Sequence, residues 1–390
     1  MSPTACVVNK NRPGCAPPSA PRDVRVGPLL VIPSLLREYN LDPSLVLAQV
    51  GLDARIFEDP ENRVSFEALG RLLETCVNVT SCPHFGLRIG QQFNIGSLGV
   101  LGELMRNCPS LGDALRLAAL HLELHDRGAV SVTLELGSGK TALGYSLFEG
   151  KTVAAAQILD GAIAMQYLLL RGLCGRGWKP LSIQLSHRRP TEVAPFQIFF
   201  RVPIEFDVPI SCILFESRWL DHPIDGADPA AFAAIKKAVE SKQPQQAMPF
   251  IAQARKALFS LMLTGSASAI NLARLFNMQE RTLRRRLDEE RVTVRSLVSE
   301  VRRELAYRLL RDTSLPVSDI AATLHYSNVS VFARAFRSWS NMNSREWRAK
   351  HAAASFKSLP QSAEGGGFSI ATRPLPRNGR RTRASAGPCR

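Results

Sequence analysis

Arg281, Arg284 and Arg285, followed by Asp288, fall at the i, i+3, i+4, i+7 spacing of one helix face, while Leu283 and Leu287 point the other way. Further along, Phe332, Ala335, Phe336 and Trp339 mark a second inward stripe and leave Ser330, Ala333, Arg334 and Arg337 outside. A guanidinium presents a planar fork of donors that matches the O6 and N7 acceptors of guanine, and a good bidentate contact discriminates by about 1–3 kcal/mol. The chemistry open to these residues is therefore hydrogen bonding to base edges in a groove that admits a helix. A solvated charged face explains any single arginine equally well, and Arg286 lies off the outward stripe, so the argument rests on the pair of faces.

Each face needs a scaffold. Before the first, Leu272, Ala273 and Phe276 form the inner side of a short helix, Asn277 suits a left-handed turn, and Gln279 stands at the N-cap position of a helix beginning near Glu280. Before the second, Ile320, Ala321, Leu324 and Tyr326 face inward and Ser327 is placed to cap the helix that follows. Between them, an apolar stripe from Val294 through Leu297, Val301, Leu305 and Leu309 predicts one long helix. Two helix-turn-helix units are thus expected in a fixed relation.

Residues 248–350 resemble the AraC/XylS transcription regulators. The resemblance is carried by Arg281-Thr-Leu-Arg-Arg-Arg-Leu287, Arg302-Arg-Glu-Leu-Ala306, Asp319-Ile-Ala321 and Phe332-Ala-Arg-Ala-Phe-Arg-Ser-Trp339. It implies two recognition helices in successive major grooves on one face of the duplex. By the same resemblance Arg281, Arg284, Arg285, Ser330 and Arg334 read bases, Val329 and Ala333 offer apolar contact, and Thr282, Ser327 and Arg337 cap helices or hold phosphates, which sets register without reading sequence. Three positions depart from the family pattern. His325 stands where the family has glycine in a turn, Val329 replaces a frequent proline, and Ser344 replaces another. A histidine is a less comfortable occupant of that turn if its φ is positive.

The 390-residue chain carries a formal net charge of +15. Residues 265–350 hold 16 lysines and arginines against 9 acids, and residues 356–390 hold 7 against 1, so the excess gathers where phosphate attraction is needed. No stretch reaches the ~18 apolar residues of a membrane helix, and the proline-rich, basic start lacks an apolar signal core. The eight cysteines show no Cys-x-x-Cys pair, and are read as reduced thiols of a cytoplasmic protein, with redox sensing the less favoured role.

Residues 28–240 read differently. Helical patterns are expected at 28–39, 43–50, 65–77, 85–92, 98–107 and 111–124, with Asp42 and Ser110 as caps. Alternation at 130–136 and 141–147 around Gly137 and Gly139 predicts a hairpin. A long apolar helix at 152–173, strands at 181–186 and 210–215, and helices at 192–200 and 228–239 complete an α+β domain with a small antiparallel sheet, followed by an all-α double helix-turn-helix domain. The stretches Phe85-Gly-Leu-Arg-Ile-Gly90, Gly96-Ser-Leu-Gly-Val-Leu-Gly102, Ser110-Leu-Gly-Asp-Ala-Leu115 and His187-Arg-Arg-Pro190 resemble the arabinose-binding-type regulatory domain of one AraC branch. That resemblance implies a domain for effector sensing and dimerisation, with no indication of arabinose itself.

Other motifs carry less. Gly139-Lys140-Thr141 lacks the first glycine of a phosphate loop, which would be Leu134, and reads as a hairpin tip. His121 and His125 share a helix face only at i, i+4, with no third metal ligand in view; His187, Arg188 and Arg189 are weak candidates for an anionic effector. The expected organisation is a disordered extension at 1–27, an effector and dimerisation domain at 28–240, a linker at 241–247, the DNA-binding domain at 248–350 and a disordered basic tail at 351–390. The expected function is a ligand-responsive transcription activator, dimeric, acting on promoter DNA and RNA polymerase, with no cofactor or metal. Two rival readings are a non-specific binder driven by the tail, separable by deleting 356–390, and an enzyme with an appended DNA-binding domain, which requires turnover by 28–240.

Overall fold

Val24 and Val26 are buried in the first of two apolar cores, and the strand that carries Val24, β1 (Asp23–Arg25), pairs antiparallel with β2 (Arg63–Ser65), Val24 opposite Val64. Residues 22–27, expected in the disordered extension, therefore belong to the domain: alternate valines supply the buried face that holds them. The computed structural model describes residues 22–148, 152–242, 249–276 and 278–352. No described helix is long and apolar enough to cross a membrane.

Around this core lie α1 (Ile32–Glu38), α2 (Pro43–Gln49), α3 (Phe66–Thr80), α4 (Phe85–Gly90), α5 (Val100–Arg106) and α6 (Leu111–Leu120). The expected caps form: Asp42 accepts from the Ser44 N–H at 2.9 Å, and Ser110 from the Asp113 N–H at 3.2 Å. α6 stops at Leu120, with His121 as its C-cap, so His121 and His125 do not share a helix face. A short 3-10 turn (Leu122–Leu124) carries the chain between them instead.

The predicted hairpin is β3 (Ala129–Glu135) and β4 (Lys140–Leu147), in antiparallel register from Ala129 opposite Leu147 to Glu135 opposite Thr141. Then come α7 (Ala155–Cys174), β5 (Ser182–Leu185), α8 (Ala194–Phe200), β6 (Ile204–Phe206), β7 (Ser211–Glu216) and α9 (Pro229–Lys242). α7 starts three residues later than periodicity suggests because Ala154 is left-handed, with φ +51°. The five-stranded sheet has the order β3-β4-β7-β5-β6. It is not wholly antiparallel as expected: β5 and β6 pair in parallel, α8 serving as the crossover between them.

The Phe85–Gly90 motif acquires a physical role here. Gly86 and Gly90, one turn apart on α4, both face α7 so closely that a Cβ at either would collide with the carbonyl of Gln157 or Gly161. Gln157 returns the contact, its side-chain oxygen accepting from the Gly86 N–H at 2.7 Å. Cys76, Cys82, Cys108, Cys174 and Cys212 are buried and free, and burial pushes the thiols of Cys76, Cys174 and Cys212 up to about 12. Such thiols stay protonated and unreactive.

The second core belongs to α10 (Phe250–Leu263), α11 (Ala269–Leu275), α12 (Glu280–Glu289), α13 (Val294–Asp312), α14 (Val317–Thr323), α15 (Val329–Ser340) and α16 (Ser344–Ala352). α13 is the predicted long helix, opened by a capping box between Thr293 and Ser296 and burying Leu297, Val301, Leu305 and Leu309. Of the predicted linker, 241–242 finish α9 and the rest lies outside the described residues. So do Asn277 and residues 353–390.

Candidate nucleic-acid interface

α11 and α12 form the first helix-turn-helix unit. Leu283 and Leu287 are sealed in the core, while Arg281, Arg284 and Arg285 stand exposed on the opposite side of α12, as the spacing requires. Their surroundings differ. Arg284 Nε donates to Glu280 Oε1 at 3.0 Å, and Arg285 reaches Glu289 only at 3.9 Å; Arg281 has no ion pair among the described residues. Arg286 turns aside, its guanidinium 5.3 Å from the Phe250 ring centroid. Gln279 occupies the N-cap position, but its side chain makes no capping bond, and Glu280 in the first turn meets the helix dipole instead. Thr282 is half-buried within that turn.

α14 and α15 form the second unit. Phe332 and Phe336 are fully buried, which is worth about 1.5–3 kcal/mol each. Ser330, Ala333, Arg334 and Arg337 are exposed on the far side, and Val329 adds apolar surface at its start, 42% exposed. The cap is Asn328, whose Oδ1 accepts from the Val331 N–H at 2.9 Å. Ser327 was the expected cap; it precedes the capping residue by one, because the extended backbone that launches the helix is at Asn328, φ −164° and ψ 167°. Asn341 closes α15 in the left-handed conformation, φ +56°.

His325 does have positive φ, +56°. What holds it there is its ring: Nε2–H donates to the Met262 carbonyl at the end of α10, at 3.0 Å, and the ring packs over Gly265. The non-glycine residue thereby ties the turn of the second unit to α10. α13 unites the two units from behind, with Tyr307 5.4 Å from Phe336 and 5.0 Å from Trp347, ring centre to ring centre.

The two cores meet at the hairpin. Val130 and Phe148 bury their side chains among the helices of the second core, Phe148 edge-on to Phe259 at 5.5 Å. Arg308 of α13 donates from Nη1 to the Leu147 carbonyl at 2.6 Å and lies over the same Phe259 ring; burial pushes its guanidinium down to about 10. Asp207 accepts from the Ser314 N–H at 2.6 Å, and the Arg188 N–H donates to the Asp312 carbonyl at 3.2 Å.

His187, Arg188 and Arg189 lie at this joint. His187 donates from Nε2 to Asp160 at 2.8 Å and from Nδ1 to the Arg188 carbonyl at 2.9 Å. Its burial favours the neutral ring, but the Asp160 carboxylate outweighs this and holds its pKa above the ordinary value. Arg189 stacks over Phe206. None of the three lines the cavity of about 130 Å³ beneath the hairpin, whose wall includes Phe66, Met105, Ser131, Leu143, Tyr145 and Met165. Successive residues of β3 point to opposite faces, so Ser131 meets the cavity while Val130 meets the second core.

Asp126 and Tyr145, joined by a hydrogen bond from the Tyr145 hydroxyl, stand where cavity and joint adjoin. Burial raises the Asp126 pKa, and burial lowers that of Lys256 on α10, the two charges acting on each other across the joint. Sequence reading passed over this group. Its trace in the sequence is Asp126 set just before a strand of apolar alternation, since such a residue is rarely buried without a partner or purpose.

Residues 272–350 match the profile of a helix-turn-helix domain, and residues 41–224 match the profile described as the arabinose-binding domain of AraC transcription regulator, N-terminal. The HTH-type transcriptional regulator VirS of Mycobacterium tuberculosis is 27% identical over 81% of this chain and 93% of its own. The ornithine utilization regulator of Pseudomonas aeruginosa is 24% identical over 80% and 93%. Among solved structures, the transcriptional regulator CdpR from Pseudomonas aeruginosa aligns over 81% of this chain and 98% of its own at 22% identity, with a TM-score of 0.40. The two exposed arginine-bearing helices on one scaffold, preceded by the matched regulatory domain, lead to one conclusion: the chain belongs to the AraC family of helix-turn-helix, DNA-binding transcription regulators.

Proposed function

We propose that this regulator is a ligand-responsive activator of the cytoplasm, that α12 and α15 read two successive major grooves, and that it acts as a dimer on promoter DNA beside RNA polymerase. The observation that carries the groove reading is the exposure of Arg281, Arg284, Arg285, Ser330 and Arg334 on two helices packed against one α13. A rigid scaffold fixes the spacing that successive grooves demand. Ligand response follows from the joint: the hairpin has the cavity on one face and α10 on the other, so an occupant that favours one packing of the hairpin also favours one placement of the DNA-binding helices.

The test is recovery of genomic fragments bound by the full-length protein at several salt concentrations, with Arg334→Ala and a deletion of 356–390 in parallel. A short recurrent motif with half-sites about one helical turn apart, kept by the deletion and lost in Arg334→Ala, is expected. Uniform recovery that fades with salt alike for wild type and Arg334→Ala, and collapses on deleting the tail, would establish backbone binding instead.

A further inference from the structure

The cavity beneath the hairpin is built of spent charges and apolar walls. Arg25 donates to both carboxylate oxygens of Glu61 and to the Ser97 carbonyl, and Asp126 accepts from the Tyr145 hydroxyl and from the Gly128 N–H. Neither charge is left over for a ligand. An anion entering here would face the Asp126 carboxyl in apolar surroundings, and a sugar would bring several hydroxyls that leucine, phenylalanine and methionine side chains cannot satisfy.

Two buried polar atoms on residues of the wall lack a partner among the described residues. They are Gln166 Oε1 and His125 Nδ1. Burial, aided by the nearby positive charges of Arg25 and Arg63, pushes His125 down to about 3, so its imidazole is neutral. The terminal amide of a glutamine rotates over a broad range, which leaves Gln166 free to turn its oxygen toward an occupant. A volume of about 130 Å³ is close to the ~150 Å³ of engineered apolar cavities that take up benzene.

We propose that the cavity binds an uncharged, mainly apolar molecule the size of one ring or a short alkyl chain, with a single hydroxyl or amide donor directed to Gln166 and His125. This rests on the effector-domain reading and names the ligand class of that domain.

Thermal unfolding and titration calorimetry of the full-length protein with benzyl alcohol, toluene, hexanoate and L-arabinose test it. Benzyl alcohol and toluene are expected to bind and raise the unfolding temperature, and hexanoate and arabinose to do neither. Ala162→Phe, which fills the cavity from α7, should abolish both responses. Gln166→Leu should weaken benzyl alcohol about tenfold and leave toluene unchanged. Tighter binding of hexanoate or arabinose, no binding of benzyl alcohol, or a response that survives Ala162→Phe overturns the proposal. DNA affinity with and without benzyl alcohol separates the two ideas: binding of the alcohol without change in DNA affinity upholds the ligand class and removes the effector role.

Discussion

Arg284 and Arg334 both stand on outward faces, but Arg284 must first release Glu280 to grip a base, whereas Arg334 has no ion pair among the described residues. Arg334→Ala is therefore expected to cost the full ~1–3 kcal/mol of a base contact, and Arg284→Ala less by the ~0.2–1 kcal/mol of an exposed pair. Fluorescence anisotropy on one operator at one salt concentration measures both; a larger loss at Arg284 would mean that Glu280 orients the arginine in the complex. His325 offers a second contrast. Glycine there loses the bond to Met262 and relieves the left-handed backbone, so His325→Gly should stay within ~1 kcal/mol of wild type. Alanine keeps the strain and loses the bond, and His325→Ala should cost about 1–2 kcal/mol in urea unfolding. Equal stability of the two variants would show that the left-handed backbone at this position costs alanine nothing.

The hairpin β3–β4 is the element shared by both cores. Its existence was legible in the alternation of 130–136 and 141–147, and its register follows from the short Gly137–Gly139 tip. That one of its faces serves the other domain was not legible, because alternation tells which residues share a face and not what covers it. Phe148 and Arg308 make two of the contacts across the joint, and removing a buried phenylalanine costs about 3–5 kcal/mol. In calorimetry the wild type should unfold in one cooperative transition and the double variant Phe148→Ala, Arg308→Ala in two. A single transition in the double variant would show that the domains do not depend on this contact. The cap of α15 shows a smaller limit of sequence reading: Ser327 and Asn328 are adjacent and both favour N-caps, so only the backbone decides between them.

Across the whole molecule, two buried histidines set opposite limits on stability. His187 has a folded pKa raised above its ordinary value, so its stabilisation is complete below about 6.5 and is lost as pH rises through the folded value. His125, held near 3, does the reverse: below about 6.5 the unfolded chain takes up a proton that the folded protein refuses, and stability falls with pH. Urea midpoints should pass through a maximum near pH 6.5. Asp160→Asn is expected to flatten the alkaline limb and His125→Gln the acidic one; unchanged limbs in these variants would assign the pH dependence to other groups.

By itself the sequence determined the two outward arginine-bearing faces and the long helix between them. Helical periodicity is local, and the arginines of α12 and α15 need only their own inward leucines and phenylalanines to be sorted from them. It also determined most helices of 28–240 and the hairpin. Tertiary structure alone decided that 22–27 join the first domain, that β6 pairs in parallel with β5, that His187 serves the joint, and that Gln166, His125 and Asp126 gather at one cavity. These facts depend on which distant segments meet, and the physical reason is that burial is settled by three-dimensional contact between elements, whereas periodicity records only which side of each element seeks it.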